Sequence, residues 1–143
     1  MTSSSFVHLQ CQSEYSVKNS LIRVPKLIES VQLGGMDSVA LTDDMSLFSA
    51  VKFYQKAIDS GVKPIIGAKV VIDFSLGQYD VILLCQNNKG YLNLSELISK
   101  AYLNEQGIEN VSVTEEQLVE HQSGLIMVAT SVSSDISSAV FKY

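Results

Sequence analysis

The sequence has no tryptophan and only two cysteines, two prolines and two histidines. Each scarcity excludes something. Cys11 and Cys85 both sit inside apolar, strand-like runs, which argues against a disulfide and for the reduced, buried thiols of a cytosolic protein. A membrane helix needs about 20 consecutive apolar residues, and no segment approaches that. Ten basic residues stand against fifteen acidic ones, for a net charge of −5. They are scattered from Lys18 to Lys142, with no basic stripe of the kind that grips phosphate. Met1-Thr-Ser-Ser-Ser5 reads as a short flexible polar lead-in, with no apolar run behind it to make a signal peptide. Gly34, Gly35 and Gly90 fit neither GxGxxG nor P-loop spacing and read as helix punctuation.

What is there is apolar residues, 46% of 143, enough for one domain with a real core or for part of a larger one. Residues 6–11 alternate as a strand, with Phe6, His8 and Gln10 on one face, and then break into a polar run. Residues 14–23 read as a loop. Val24-Pro25 opens a helix whose stripe is Leu27, Ile28 and Val31, and Gly34-Gly35 stops it. Residues 38–42 form an apolar strand followed by Asp43 and Asp44. A helix is predicted over 47–60, with Phe48, Val51, Tyr54, Ala57 and Ile58 as its apolar face and Gly61 as its cap.

Further on, 64–74 and 79–86 are strand-like and joined by a turn, with Gly67 a bend or bulge. A helix then presents Leu94, Leu97, Ile98 and Ala101. Thr114-Glu-Glu-Gln117 fits a capping box, 125–129 is another strand, and Asp135 is placed to cap a last short helix. Strands that alternate with helices and are apolar throughout predict a parallel-rich α/β sheet or barrel.

In such folds chemistry gathers where strands end and helices begin. Gln10, Gln12, Asp43 and Asp44 occupy such ends, and Lys69 and Asp80 lie within or beside other strands. Bland readings stand next to these. Asp43-Asp44 could simply cap the next helix. His8 reads as a core histidine, and His121, in a polar stretch, as a surface one.

Several segments together resemble one family. They are Phe6-Val-His-Leu with Ser13-Glu-Tyr-Ser16, Val39-Ala-Leu-Thr-Asp43, Ala50-Val-Lys-Phe-Tyr54, Lys63-Pro-Ile-Ile-Gly67, Asn87-Asn-Lys-Gly-Tyr-Leu-Asn-Leu94 and Leu97-Ile-Ser-Lys-Ala-Tyr102. They are similar, in order and spacing, to the N-terminal polymerase-and-histidinol-phosphatase (PHP) domain of bacterial DNA polymerase III alpha subunits. The resemblance implies an α/β fold, the N-terminal portion of a distorted (β/α)7 barrel. Residues 6–143 would be a partial PHP domain, the chain ending inside it.

In metal-binding members a His-x-His pair closes the first strand. Here those positions are Gln10 and Gln12. A usual aspartate becomes Asn19, and a histidine after Thr-Asp becomes Asp44. A glutamate becomes Lys69, and another histidine becomes Asp80. Glu14 and Asp43 neighbour the same positions. Transition-metal clusters need imidazoles and carboxylates, whereas amide oxygens donate weakly and an ammonium repels the ion.

The resemblance therefore implies a dismantled metal site, with no catalytic residue and no cofactor in this segment, and with Lys69 paired to Asp44, Asp80 or both. Magnesium and DNA would belong to the polymerase part of the parent chain. A proofreading exonuclease subunit and other replicase subunits are the implied partners, in the bacterial cytoplasm. A barrel cut partway also predicts self-association through unpaired strand edges. The competing reading is a metal-dependent phosphoesterase or 3'-5' exonuclease with a residual magnesium or manganese site on Asp44 and Asp80.

Overall fold

The computed structural model describes residues 6–75, 77–104 and 111–129. These make a mixed α/β structure with five strands and four helices, in two compact units divided between Ala68 and Lys69. The expected last helix at Asp135 and the lead-in at 1–5 lie outside the described residues.

The first unit holds α1 (Val24–Leu33), β1 (Ser38–Asp44), α2 (Ala50–Asp59) and the opening of β2 (Lys63–Phe74). Pro25 sits in the first turn of α1, where its missing N–H costs nothing. The helix ends at Gly34 and Gly35, and Gly35 adopts a left-handed φ of 66° that a side chain would strain. The apolar stripe Val24, Leu27, Ile28 and Val31 packs with Val39, Leu41, Phe53, Ala57 and Val62 into one buried core, with Cys11, Met36 and Ile66 at its margin. Phe53 is the largest fully buried side chain, and truncating it to alanine costs about 3–5 kcal/mol on general grounds.

The second unit holds the rest of β2, then β3 (Gly77–Cys85), α3 (Asn88–Asn104), β4 (Val113–Thr114), α4 (Glu115–His121) and β5 (Leu125–Ala129). β3 pairs antiparallel with β5, from Val81 opposite Ala129 to Cys85 opposite Leu125. β4 lies parallel to β2, Ile72 opposite Val113. The predicted capping box is present. Thr114 Oγ1 accepts from Gln117 N–H at 3.2 Å, and the Gln117 side chain accepts from Thr114 N–H at 3.0 Å. Gly90 is more than punctuation. A Cβ there would sit 1.9 Å from the carbonyl oxygen of Gly124, so the start of α3 and the turn before β5 require a glycine.

Four expectations need correcting. Residues 6–11 are not a regular strand and touch β1 through one parallel bridge, His8 to Val39. Ala40 N–H donates to His8 O at 2.8 Å and Thr42 N–H to Cys11 O at 2.7 Å, so three residues of the leading segment match two of β1. That extra residue is a bulge, and it breaks the alternation expected from Phe6 through His8 to Gln10.

The face predicted for α2 is also wrong except at Ala57. The helix buries Ala50, Phe53 and Ala57 and leaves Val51, Tyr54 and Ile58 exposed, and Phe48, which precedes it, is exposed too. Two apolar stripes run side by side on this sequence, and periodicity alone does not tell which one meets the core. The two histidines are reversed: His8 is exposed, edge-to-face with Phe6, whereas His121 is buried. Finally, β5 is antiparallel and largely exposed rather than a buried parallel strand.

Candidate functional site

In the first unit the candidate residues are set by the end of β1 and by the loop before α1. β1 is buried along its middle five residues, so its last two, Asp43 and Asp44, point to opposite sides of a strand held rigidly by the core. Met45 follows with a left-handed φ of 43°, turning the chain sharply after the two acids.

Asp43 is buried and fully engaged. Its Oδ1 accepts from Ser13 N–H at 2.7 Å and Ser16 Oγ at 2.8 Å, and its Oδ2 accepts from Ser13 Oγ at 2.8 Å and from Ser49 Oγ. Four donors offset the cost of burying one carboxylate. Ser16 Oγ in turn accepts from Asp44 N–H at 3.0 Å, so the Asp43 cradle also fixes its neighbour. Ser49 immediately precedes α2, but Asp43 does not cap that helix through a backbone N–H. It bonds the serine side chain instead.

Asp44 is half-buried and held by amides. Gln12 Nε2 donates to Oδ1 at 2.7 Å, and Asn19 Nδ2 donates to Oδ2. Gln10 is not part of this arrangement; it is exposed, as the bulge dictates. Glu14 braces the start of α1. Its Oε2 accepts from Val24 N–H at 2.9 Å, capping α1 where Arg23 provides no side-chain cap, and its Oε1 meets Lys52 Nζ of α2 at 3.0 Å. Burial works to raise the Glu14 carboxyl. The Lys52 ammonium and the backbone N–H groups outweigh it, and its pKa is lowered.

In the second unit Lys69 of β2 and Asp80 of β3 form an ion pair at 2.8 Å. The ammonium is the more sheltered partner, and the carboxylate is nearly half exposed. The expected pairing of Lys69 with Asp44, Asp80 or both is met at Asp80.

The donors around Asp44 suit a transition metal poorly. Each oxygen of Asp44 accepts one amide N–H, and Gln12 and Asn19 bring only weakly donating amides in place of imidazole or carboxylate. Among the described residues no three His, Cys, Asp or Glu side chains gather into a metal-ligating group. Nor do the cysteines offer a nucleophile. Burial raises both thiols, Cys85 to about 11, so they stay protonated at neutral pH.

Sequence reasoning passed over Ser13, Ser16 and Ser49. A signal was available: two serines three apart in a loop facing an acid at a strand end supply hydroxyl donors at a spacing that can converge. It also misplaced His121. In the second unit His121 Nδ1 donates to Gln117 O at 2.8 Å, and Nε2 accepts from Lys100 Nζ at 3.1 Å with Glu96 3.5 Å away. The Lys100 ammonium first, then His121, holds the Glu96 carboxyl below its usual range.

Comparison with known proteins places this chain in a family. A family model described as PHP domain matches residues 8–143. DNA polymerase III subunit alpha of Vibrio cholerae is 39% identical over 145 residues, covering 99% of this chain and 12% of that protein. The protein of the same name from Pseudomonas fluorescens is 37% identical, covering 95% and 12%, and that of Escherichia coli K12 is 33% identical, covering 99% and 12%. The chain thus spans 12% of the length of the curated relatives it matches.

Two solved structures share the fold at low identity. One is a Bifidobacterium adolescentis protein provisionally assigned as a metal-dependent phosphoesterase, with TM-score 0.58 and 11% identity, over 71% of this chain and 34% of that one. The other is an amidohydrolase from Chromobacterium violaceum, with TM-score 0.53 and 13% identity, over 69% and 33%. The collinear match of nearly the whole chain leaves one assignment: this protein belongs to the PHP domain family.

Proposed function

We propose that this chain is a non-catalytic scaffold segment of a bacterial replicative DNA polymerase alpha subunit, its ancestral metal site converted into a hydrogen-bonded brace. The parent chain would carry out DNA-directed DNA synthesis in the cytoplasm, with magnesium and DNA bound elsewhere in it. This segment would serve as a docking surface for a separate proofreading exonuclease subunit and for other replicase subunits. The observation that carries the reading is the amide clamp. Gln12 and Asn19 direct N–H groups at both oxygens of Asp44, occupying one acceptor position on each and putting weak amide donors where a metal site would need imidazoles. The Lys69–Asp80 pair supports it by neutralising a second acid of the same inherited set.

The test has two arms. Metal analysis of the purified chain after exposure to manganese or magnesium should find well under one ion per chain, with no phosphoesterase activity. One equivalent or more, or metal-dependent turnover, would favour a residual phosphoesterase or 3'-5' exonuclease site instead. Titration against the proofreading exonuclease subunit should give saturable binding. Absence of binding by both this chain and a complete PHP domain would end the docking reading. The chain should also self-associate at high concentration, and a clean monomer in light scattering would remove that part.

A further inference from the structure

We propose that the outer edge of β5 is a pairing surface for a second copy of this chain, joined antiparallel about a two-fold axis at Met127. The inference rests on the self-association named above and adds its place and register. β5 is the last strand in the order of its sheet, with β3 on one side and no described strand on the other. In the first unit the leading segment covers an edge of β1, where Ala40 and Thr42 N–H groups donate to the His8 and Cys11 carbonyls. No described segment does this for β5.

The ladder fixes which groups are offered. Gln86 N–H donates to Gly124 O at 2.9 Å, in line with the β3–β5 register, so Gln86 and Gly124 are a hydrogen-bonded pair. Alternation along an antiparallel ladder then turns the main chain of Ile126 and Val128 toward β3 and that of Leu125, Met127 and Ala129 away from it. Leu125 N–H is taken by Gln122 O at 3.1 Å. Leu125 C=O and both main-chain groups of Met127 and Ala129 remain, and among the described residues none bonds to them. Main-chain groups of this kind select another strand, which separates this edge from apolar side chains exposed on helices and loops.

β5 also lacks the devices that keep strand edges apart. It has no proline and no charge, and its register with β3 runs unbroken from Leu125 to Ala129. Ile126 and Met127, on its two faces, are 44% and 50% exposed.

The sequence favours a copy of itself as the partner. Residues 122–134 contain no Asp, Glu, Lys or Arg. The charged side chains described in this unit belong to β2, β3, α3 and α4, and Asp80, next to the last residue that β5 pairs, is held by Lys69. The register that pairs all of β5 with itself is centred on Met127. It sets Met127 opposite Met127, Ile126 opposite Val128 and Leu125 opposite Ala129, so apolar groups meet throughout and no like charges face each other. Met127 exchanges both bonds with its counterpart, and Ala129 N–H reaches Leu125 C=O. A two-fold contact of this sort is closed and stops at a dimer.

Light scattering of the 143-residue chain over a concentration series reads the dimer, and hydrogen exchange reads the edge. Met127 and Ala129 amides should become protected as the dimer forms, whereas Ile126 and Val128 amides are protected throughout by β3. Met127→Lys sets two ammonium groups against each other and should weaken dimerisation about tenfold or more. Met127→Glu should do the same, and an equimolar mixture of the two variants should pair again. Met127→Pro should abolish pairing without breaking the ladder, since the N–H it removes points away from β3. Urea melts check that each variant folds, and the exchange measurement on wild type decides the edge if one does not.

Equal self-association by wild type and Met127→Lys overturns the assignment to β5 and leaves self-association standing. A monomer at every concentration overturns both. Protected Met127 and Ala129 amides in a monomer would mean that a segment of the same chain covers the edge, which overturns the second copy as its occupant. Lysine and glutamate variants that fail to pair when mixed overturn the register at Met127.

Discussion

Asp43 and Asp44 are adjacent residues at the end of one strand, yet they are satisfied in opposite ways. Asp43 is sealed in the interior by three serine hydroxyls and a backbone N–H. Asp44 sits half-open under two long amides. The first arrangement is structural, since it ties the loop before α1, the end of β1 and the approach to α2 to a single carboxylate. The second holds a half-open acid with one neutral donor on each oxygen. The difference shows that an acid at a strand end can be satisfied deep among hydroxyls or near the surface under amides. Neutral donors can hold such an acid at less electrostatic cost than a buried charge pair.

The sharpest way to break this comparison is to remove Asp43. Asp43→Ala leaves three hydroxyls and an N–H without their acceptor and should cost about 3 kcal/mol or more, since bonds to a charged acceptor are each worth about 1.5–3 kcal/mol and do not add fully. Urea denaturation measures it, and a loss below about 1 kcal/mol would remove Asp43 from its role as an anchor.

Asp44→Asn should be milder, about 1 kcal/mol, because the site is half-open and the new amide keeps one acceptor. A double-mutant cycle with Gln12→Ala should show coupling between the two; strict additivity would mean that the clamp contributes nothing. Lys69→Met should change stability by no more than about 1 kcal/mol, because the Asp80 carboxylate is well exposed and its pairing is screened. That small effect should shrink further as salt rises, whereas the Asp43 effect should not.

The pH dependence tests a third carboxylate, Glu14. Its folded pKa lies below its ordinary value of 4.5, so its contribution is present above that value and is lost as pH falls through the folded pKa. Wild type and Glu14→Gln should therefore differ in melting temperature at neutral pH and converge in acid below pH 4.5. A gap that persists in strong acid would mean that Glu14 acts through packing rather than charge.

Local rules went far in this chain. Pro25 and the Gly34-Gly35 pair bracket α1, the Thr114–Gln117 box starts α4, and Leu94, Leu97, Ile98 and Ala101 name the buried side of α3. Each follows from short-range chemistry that a sequence carries openly. The failures were those of register and depth. One extra residue in the leading segment sent Gln10 to solvent and Gln12 to Asp44, and α2 chose the narrower of two apolar stripes because Phe53 fits the core.

The division has a physical basis. The sequence by itself determined the type and ends of most elements and which donor groups stand at Gln10, Gln12, Asn19, Asp44, Lys69 and Asp80. Helix caps, breakers and side-chain donor chemistry are properties of a residue and its near neighbours. Only the tertiary structure decided that Ser13, Ser16 and Ser49 converge on Asp43, that Gln12 and Asn19 close on Asp44, and that His121 is the buried histidine while His8 is not. Those partners lie up to 32 residues apart, and their meeting depends on where a bulge and a turn aim the chain.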